Sequence, residues 1–447
     1  MELFDIKFGK ERLITPTGLA AVGVLVNLTD LSKRLNKLGE PKDYEYENSD
    51  CVISYLGILC QGKSDFEDIL EMKDDPDFFA QALGIKKITS PETLRQRMDE
   101  LAIHMIGEDV VLQENSKLLA KLDINPTPCF TGHIPLDIDV SPHDNSKTKK
   151  EGIGWTYKGF DGFAPIYSYL GKEGYLAHVE FREGDAHCQC ETDKFLEESI
   201  KFSRTITKEP LLLRMDSGND SIDNIKVCID SDIDFVIKRN LRKESLENWL
   251  AEAKENGKSE MPREGKTVYY GSVYKTKKVE EDIYRIRIVY QITERTSLHN
   301  GQLLLIPEID VETWWTSLDI REKDVIELYH QHATCEQFHS EIKTDMDLER
   351  FPSSKFDTNT IILQLAAMAY NILRIIGQVS LELLPTPRKK VKRLRIKTVI
   401  QNLIQIAGHI VSHARKKYIN LGRSNIWRNT FAKIYQLFVG KYKAIRT

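Results

Sequence analysis

No Cys-x2-Cys pair occurs in this sequence, although it holds seven cysteines. They are scattered and odd in number, which excludes a structural zinc pattern and fits a reducing compartment rather than a disulfide-stapled secreted fold. Long apolar runs are missing as well. The longest, such as 361–370, are too short or too interrupted to span a bilayer. The opening stretch MELFDIKFGKERL is charged and lacks an apolar signal core. These absences point to a cytoplasmic chain that makes no membrane contact. Solenoid-period repeats and long low-complexity runs are lacking too. What is there is ordinary globular composition, 41% hydrophobic and 29% charged, over 447 residues, enough for two or three domains with sizeable cores.

Charge is unevenly spread. From Leu381 to Thr447 there are 16 Lys/Arg and one acid, Glu382, a balance of +15 that leaves −19 for the rest of a chain whose net charge is −4. An acidic body with a basic tail suggests a polyanion partner, nucleic acid first, and so a nucleoid-associated protein. The tail opens with a cluster of candidate phosphate contacts: Arg388, Lys389, Lys390, Lys392, Arg393 and Arg395.

Residues 1–125 read as a helical domain, with apolar helix-period spacing over 17–38, 50–61, 65–72, 76–83 and 91–106. Ser90-Pro-Glu starts the last of these, with Ser90 as cap and Pro91 at the first helical position. Arg95 and Arg97 near its start make this domain a candidate DNA-binding module. Residues 126–240 change character. Strands are expected at 133–140, 163–170, 175–181, 211–215 and 235–238, with helices at 191–205 and 221–231 between them, which implies a mixed sheet. Residues 241–320 alternate as exposed β-hairpins joined by charged linkers such as 251–265, and end at Trp314-Trp315. The interrupted domain resumes over 321–380, with an apolar helix at 359–378. Residues 381–447 form a basic tail domain, expected to hold two helices at 398–418 and 425–442.

The stretch that organises the rest is 324–346, DVIELYHQHATCEQFHSEIKTDM, free of Pro and Gly and read as one helix. Tyr329, His332, Glu336 and Lys343 share a face, about a quarter turn from the packing stripe of Val325, Leu328, Cys335, Phe338 and Ile342. Mixed charge on a helix is ordinarily a solvated face. Two acids upstream change that reading. Asp139 ends the strand HIPLDIDV, and Asp216 follows the strand LLLRM. Acids at strand carboxyl ends gather where open α/β sheets bind ligands. Three carboxylates without another nucleophile suit a hard-cation site for Mg²⁺ or Mn²⁺, with two ions bridging a phosphodiester. Asp137 lies two residues before Asp139 on the same strand face, so parity leaves either as the first acid. Asp139 is preferred as nearer the strand end. Glu341, about 140° round the helix from Glu336, points elsewhere.

On these residues the chain resembles the DDE transposases of bacterial insertion sequences, in the group with a Tyr-x2-Arg-x3-Glu-x6-Lys signature. Tyr329, His332, Glu336 and Lys343 keep that spacing, with His332 standing where the signature has Arg. A neutral imidazole lacks the permanent bidentate phosphate clamp of a guanidinium. The resemblance covers roughly 134–378. It implies an α/β fold with an RNase H-like mixed-sheet core, helices on both faces, a β-rich insertion, and helical N- and C-terminal domains. It implies metal-dependent cleavage at element ends and strand transfer, with Asp139, Asp216 and Glu336 as catalytic metal ligands, and a homodimer on terminal inverted repeats and target DNA. By the same resemblance Tyr329, His332 and Lys343 contact DNA, and an insertion aromatic such as Trp314 or Trp315 holds an unstacked base. Two other readings of the same residues are an RNase H-like DNA nuclease that does not join, and an inactive transposase-derived DNA-binding protein.

Overall fold

A computed structural model describes residues 3–39, 45–279, 282–383, 391–414 and 416–446. Its centre is one nine-stranded mixed sheet. The first five strands are β1 (Ile134–Val140), β2 (Ile166–Leu170), β3 (Tyr175–Glu180), β4 (Leu211–Met215) and β5 (Asp234–Lys238). Four more follow from the insertion: β6 (Lys258–Arg263), β7 (Lys266–Val279), β8 (Asp282–Ser297) and β9 (Leu303–Thr316). The spatial order is β6-β7-β8-β9-β5-β4-β1-β2-β3. β1 runs parallel to β4, and β4 to β5, whereas β2 is antiparallel to β1 and to β3. The insertion is therefore continuous with the main sheet, because β9 pairs with β5 through Trp314↔Lys238. The stretch 251–265, expected as a linker, is ordered instead. It contains the end of the helix Leu246–Asn256 and the edge strand β6.

Alternation along β1 explains how the sheet is covered. Leu136 and Ile138 enter a core shared with the helices Thr192–Ile206, Ile222–Asp230 and Leu246–Asn256. Asp137 and Asp139 project from the other face. That face is covered by the segment from Glu322 onward and by the 28-residue helix Phe356–Leu383. This helix is long and apolar enough to cross a membrane, yet 94% of its most apolar window is buried inside the protein, so it acts as a core helix.

One buried cluster runs from Ile14 to Phe438 and joins the N-terminal helices, Phe356–Leu383 and the tail around a single core. The stretch expected as one helix over 17–38 is two, Leu19–Val26 and Leu31–Leu35. Asn27 ends the first because its side chain donates to Gly23 O and Leu83 O, in competition with the helix ladder. The expected tail helix at 398–418 is also corrected. A short helical stretch ends at Ile404, and a hairpin follows, β10 (Gly408–His413) and β11 (Lys416–Leu421). β10 pairs with the short strand Leu13–Ile14, so a contact almost 400 residues away in the chain decides its conformation. His409 and His413 therefore lie on a strand. The final helix, Arg428–Arg446, is close to its expected place.

Candidate functional site

The parallel register of β1 and β4 pairs Asp137 with Arg214 and Ile138 with Met215. One step further along each chain come Asp139 and Asp216, side by side at the carboxyl ends of two neighbouring strands. Asp216 then caps the one-turn helix Ser217–Asn219, accepting from Gly218 N at 3.1 Å and Asn219 Nδ2 at 2.9 Å. Burial raises its pKa, and the negative charge of Asp139 raises it further. Two carboxylates close enough to repel in a partly dry site are what a bound cation would relieve.

Asp137 and Asp139 separate cleanly. Asp137 is 2% exposed, and both of its oxygens are taken by Arg214, at 2.6 and 2.7 Å. His332 Nδ1 adds a contact at 3.1 Å. Burial works against its charge, but Arg214 and then His332 hold its pKa below the usual carboxylate range. Asp139 keeps 21% of its side chain exposed and has a different partner, His339 Nε2 at 3.0 Å. Burial again opposes the charge, and the His339 hydrogen bond keeps the pKa low. An ionised carboxylate only accepts, so His339 Nε2 carries the proton, and Nδ1 meets the Tyr169 hydroxyl at 3.0 Å. Asp139 is thus the open acid, and Asp137 is half of a buried ion pair.

The segment carrying Glu336 is not the single helix expected over 324–346. Glu322–His330 is α-helical, Gln331–Thr334 tightens to 3₁₀, Cys335–Ser340 is α-helical again, and Glu341–Asp345 widens to a π turn. The widening has a cause: Glu341 is buried and held by Tyr370, Arg374 and Arg393. Short π segments are common at functional sites. Glu336 lies in the first turn after the 3₁₀ stretch and is exposed. Tyr157 stands beside the end of β1. The residue is 67% exposed, but its hydroxyl donates to Val140 O at 3.0 Å. Loss of water around that hydroxyl, and then the charges of Asp139, Asp216 and Glu336, push its pKa up.

The remaining expected contacts divide. Tyr329 is half-buried, with its ring 5.7 Å from that of Trp314, and its phenol is pushed up by burial, then by Asp216 and Asp139. Lys343 donates to Pro142 O beside β1, and burial lowers its pKa against the pull of Glu349, Glu336 and Asp139. His332 is 6% exposed and tied to Asp137, so its ring faces the protein interior rather than a phosphate. Trp314 and Trp315 are core residues, the latter donating to Asp220 at 2.8 Å, so neither is placed to hold an unstacked base. Arg393 pairs with the buried Glu341, Arg395 with the buried Asp345, and Lys392 is exposed. Arg388, Lys389 and Lys390 lie outside the described residues. In the N-terminal domain Arg95 is paired with Glu67 and Glu92, and Arg97 is buried against Asn48 and Glu100.

Sequence reasoning missed His339 and Tyr157. His339 sits three residues after Glu336, a spacing that puts it on a neighbouring face, but its partner is 200 residues away. Among the described residues, Asp137, His332 and Cys335 bring possible metal-ligand atoms within 4.8 Å of one another. Arg214 already occupies both Asp137 oxygens there, and a fixed guanidinium disfavours a second cation.

A family model described as Transposase DDE domain group 1 matches residues 8–439. Comparison with curated proteins gives no match. Among solved structures, a cryo-EM structure of a piggyBac transposase synaptic complex with hairpin DNA is similar over 86% of this chain and 76% of that chain, at 12% sequence identity and a TM-score of 0.42.

Proposed function

This chain belongs to the transposases with a DDE domain of group 1, and from that premise we propose that it cuts DNA at the ends of a mobile element and joins the freed 3′ end to target DNA. The observation that carries this reading is the parallel register of β1 and β4, which brings Asp139 and Asp216, far apart in the chain, to adjacent strand ends. The five-strand order β3-β2-β1-β4-β5, with β2 reversed, supports an RNase H-like core with the acids at its strand ends.

The donor set fits Mg²⁺ or Mn²⁺, because all three groups are hard oxygen ligands and the two aspartates repel each other unaided. When bound, such ions, two in this reading, lower the pKa of an attacking water or hydroxyl and neutralise charge on the leaving oxygen. The chain's own residues set the geometry. His339 orients Asp139, and Gly218 N and Asn219 orient Asp216. Lys343 stands next to Pro142 with a cation near the acids, suited to a phosphate oxygen. Positioning and charge, with no covalent protein intermediate, are sufficient for phosphoryl transfer. The partners in this reading are double-stranded element ends and target DNA, held by a homodimer in the cytoplasm.

The test uses labelled DNA from the flanks of the coding region, a target plasmid and Mg²⁺. Joined product is expected from the native chain and none from Asp216→Asn. Cut but unjoined DNA would point to a nuclease, and product that survives Asp216→Asn would overturn the assignment.

A further inference from the structure

The turn that holds Asp216 is a single one, Ser217–Asn219, and it ends on a glycine amide. Gly218 N donates to Asp216 Oδ1 at 3.1 Å, beside Asn219 Nδ2 at 2.9 Å. Gly218 carries no Cβ, so its own chemistry does little to keep that N–H aimed at the carboxylate. Asp139 next to it works the other way, because two like charges favour any rotation that parts them. Support for the turn has to come from outside it.

The far end of the turn is tied to the sheet. Asp220 is 9% exposed and accepts from Trp315 Nε1 of β9 at 2.8 Å and from Asn240 N at 2.9 Å. One side chain from a distant segment spans from that tethered end to Gly218. Gln189 Nε2 donates to Asp220 O at 3.1 Å and to Gly218 O at 3.0 Å. Cys188 Sγ donates to the same Gly218 O at 2.9 Å. Gly218 is thus bonded on both sides, its N–H to Asp216 and its carbonyl to the loop 187–190.

That loop is itself anchored. Cys188 O accepts from Oγ1 of the buried Thr192 at 2.7 Å, and Cys190 N donates to His187 O at 2.8 Å. Gln189 N donates to His187 Nδ1 at 3.2 Å. Burial, and then the charge of Asp216, push the Cys188 thiol up, so it stays protonated and able to donate.

We infer that Gln189, with Cys188 beside it, is a positioning residue for Asp216, a strut from the tethered Asp220 carbonyl to Gly218 that keeps the Asp216 carboxylate where a divalent cation can share it with Asp139. The inference rests on the reading of Asp139 and Asp216 as metal ligands. It concerns the cation rather than DNA, so losing the strut should weaken metal binding in a way that added metal overcomes.

The experiment titrates the full chain with Mn²⁺, reads free Mn²⁺ by electron paramagnetic resonance, and follows DNA cleavage over the same range. Gln189→Ala should raise the Mn²⁺ concentration for half-saturation and for half-maximal cleavage by roughly 10–100-fold, the range for residues that orient metal ligands. The rate at saturating Mn²⁺ should return close to native. Gln189→Glu, which keeps the length but offers no donor, should lose at least as much. Cys188→Ser keeps a donor and should bind Mn²⁺ more tightly than Cys188→Ala. In an Asp216→Asn background Gln189→Ala should weaken binding no further, because it acts through Asp216. Native Mn²⁺ affinity in both Gln189 variants, the same loss in the Asp216→Asn background, or a loss seen only in the saturated rate would each overturn the inference. A native chain that binds Mn²⁺ through Asp216 but cuts no DNA would overturn the transposase reading instead, and the Mn²⁺ comparison would still decide this one. A native chain that binds no Mn²⁺ would overturn both.

Discussion

His339 shows how one side chain sets the character of another. It holds Asp139 ionised and oriented, and its ring is itself fixed by Tyr169. Residues that orient a metal ligand are worth roughly 10–100-fold in affinity or activity. His339→Phe should therefore lower cleavage by about that factor and raise the Mn²⁺ concentration needed for half-maximal rate, with the thermal midpoint close to native. Asp139→Asn and Asp216→Asn should abolish cleavage with the fold intact, as seen by circular dichroism. The Arg214–Asp137 pair behaves differently. Both groups are nearly wholly buried, and Arg214 Nη1 also donates to Leu328 O at 2.7 Å, which ties β4 to the segment carrying Glu336. Removing one partner strands a buried charge at a cost of about 3–5 kcal/mol. Arg214→Met should show that loss in urea unfolding, and adding Asp137→Asn should recover part of it. This arrangement was only half legible in the sequence. Spacing along HIPLDIDV put two acids on one face but could not say which was free, because the answer depends on an arginine 77 residues further on.

Elements were most legible where a single period ruled. β4 lies where its apolar run ends at Asp216, and the helix Pro76–Leu83 matches its expected span. Legibility failed where distant contacts overrode local pattern. The π turn at Glu341–Asp345 follows from Glu341 reaching Arg374 and Tyr370, and β10 follows from pairing with Leu13. The contact between β3 and the helix Thr192–Ile206 carries a pH dependence of its own. His178 stacks on Phe195 with ring centroids 4.4 Å apart and contacts Ser199 Oγ at 3.2 Å. Burial lowers its pKa from 6.5 to about 3, in spite of Glu198 at 3.5 Å on the exposed side. The folded ring is neutral, whereas the unfolded chain titrates near 6.5. Stability is then complete above that pH and is lost as pH falls toward 3. His178→Phe should flatten the stability profile between pH 6.5 and about pH 5 by roughly 2 kcal/mol, read from urea midpoints at several pH values.

At the scale of the whole molecule, the acidic body and basic tail meet around the candidate site. The tail's cations do different jobs. Arg393 and Arg395 neutralise buried Glu341 and Asp345, whereas Lys392 is exposed, with no ion pair among the described residues. Lys392→Ala should therefore reduce the slope of log affinity for DNA against log salt by about 1 and leave stability unchanged. Arg393→Ala should lower the urea midpoint as well as the affinity. The charge asymmetry was plain in the sequence; which cations were already engaged was not, because their partners lie about 50 residues away on the broken helix.

The most direct test is an anomalous diffraction map from crystals of the chain with cleaved DNA and Mn²⁺. The expected result is manganese bounded by Asp139 and Asp216, with Glu336 at its other side. Manganese held instead by Asp137, His332 and Cys335, or none at all in crystals whose protein cuts DNA, would contradict the account.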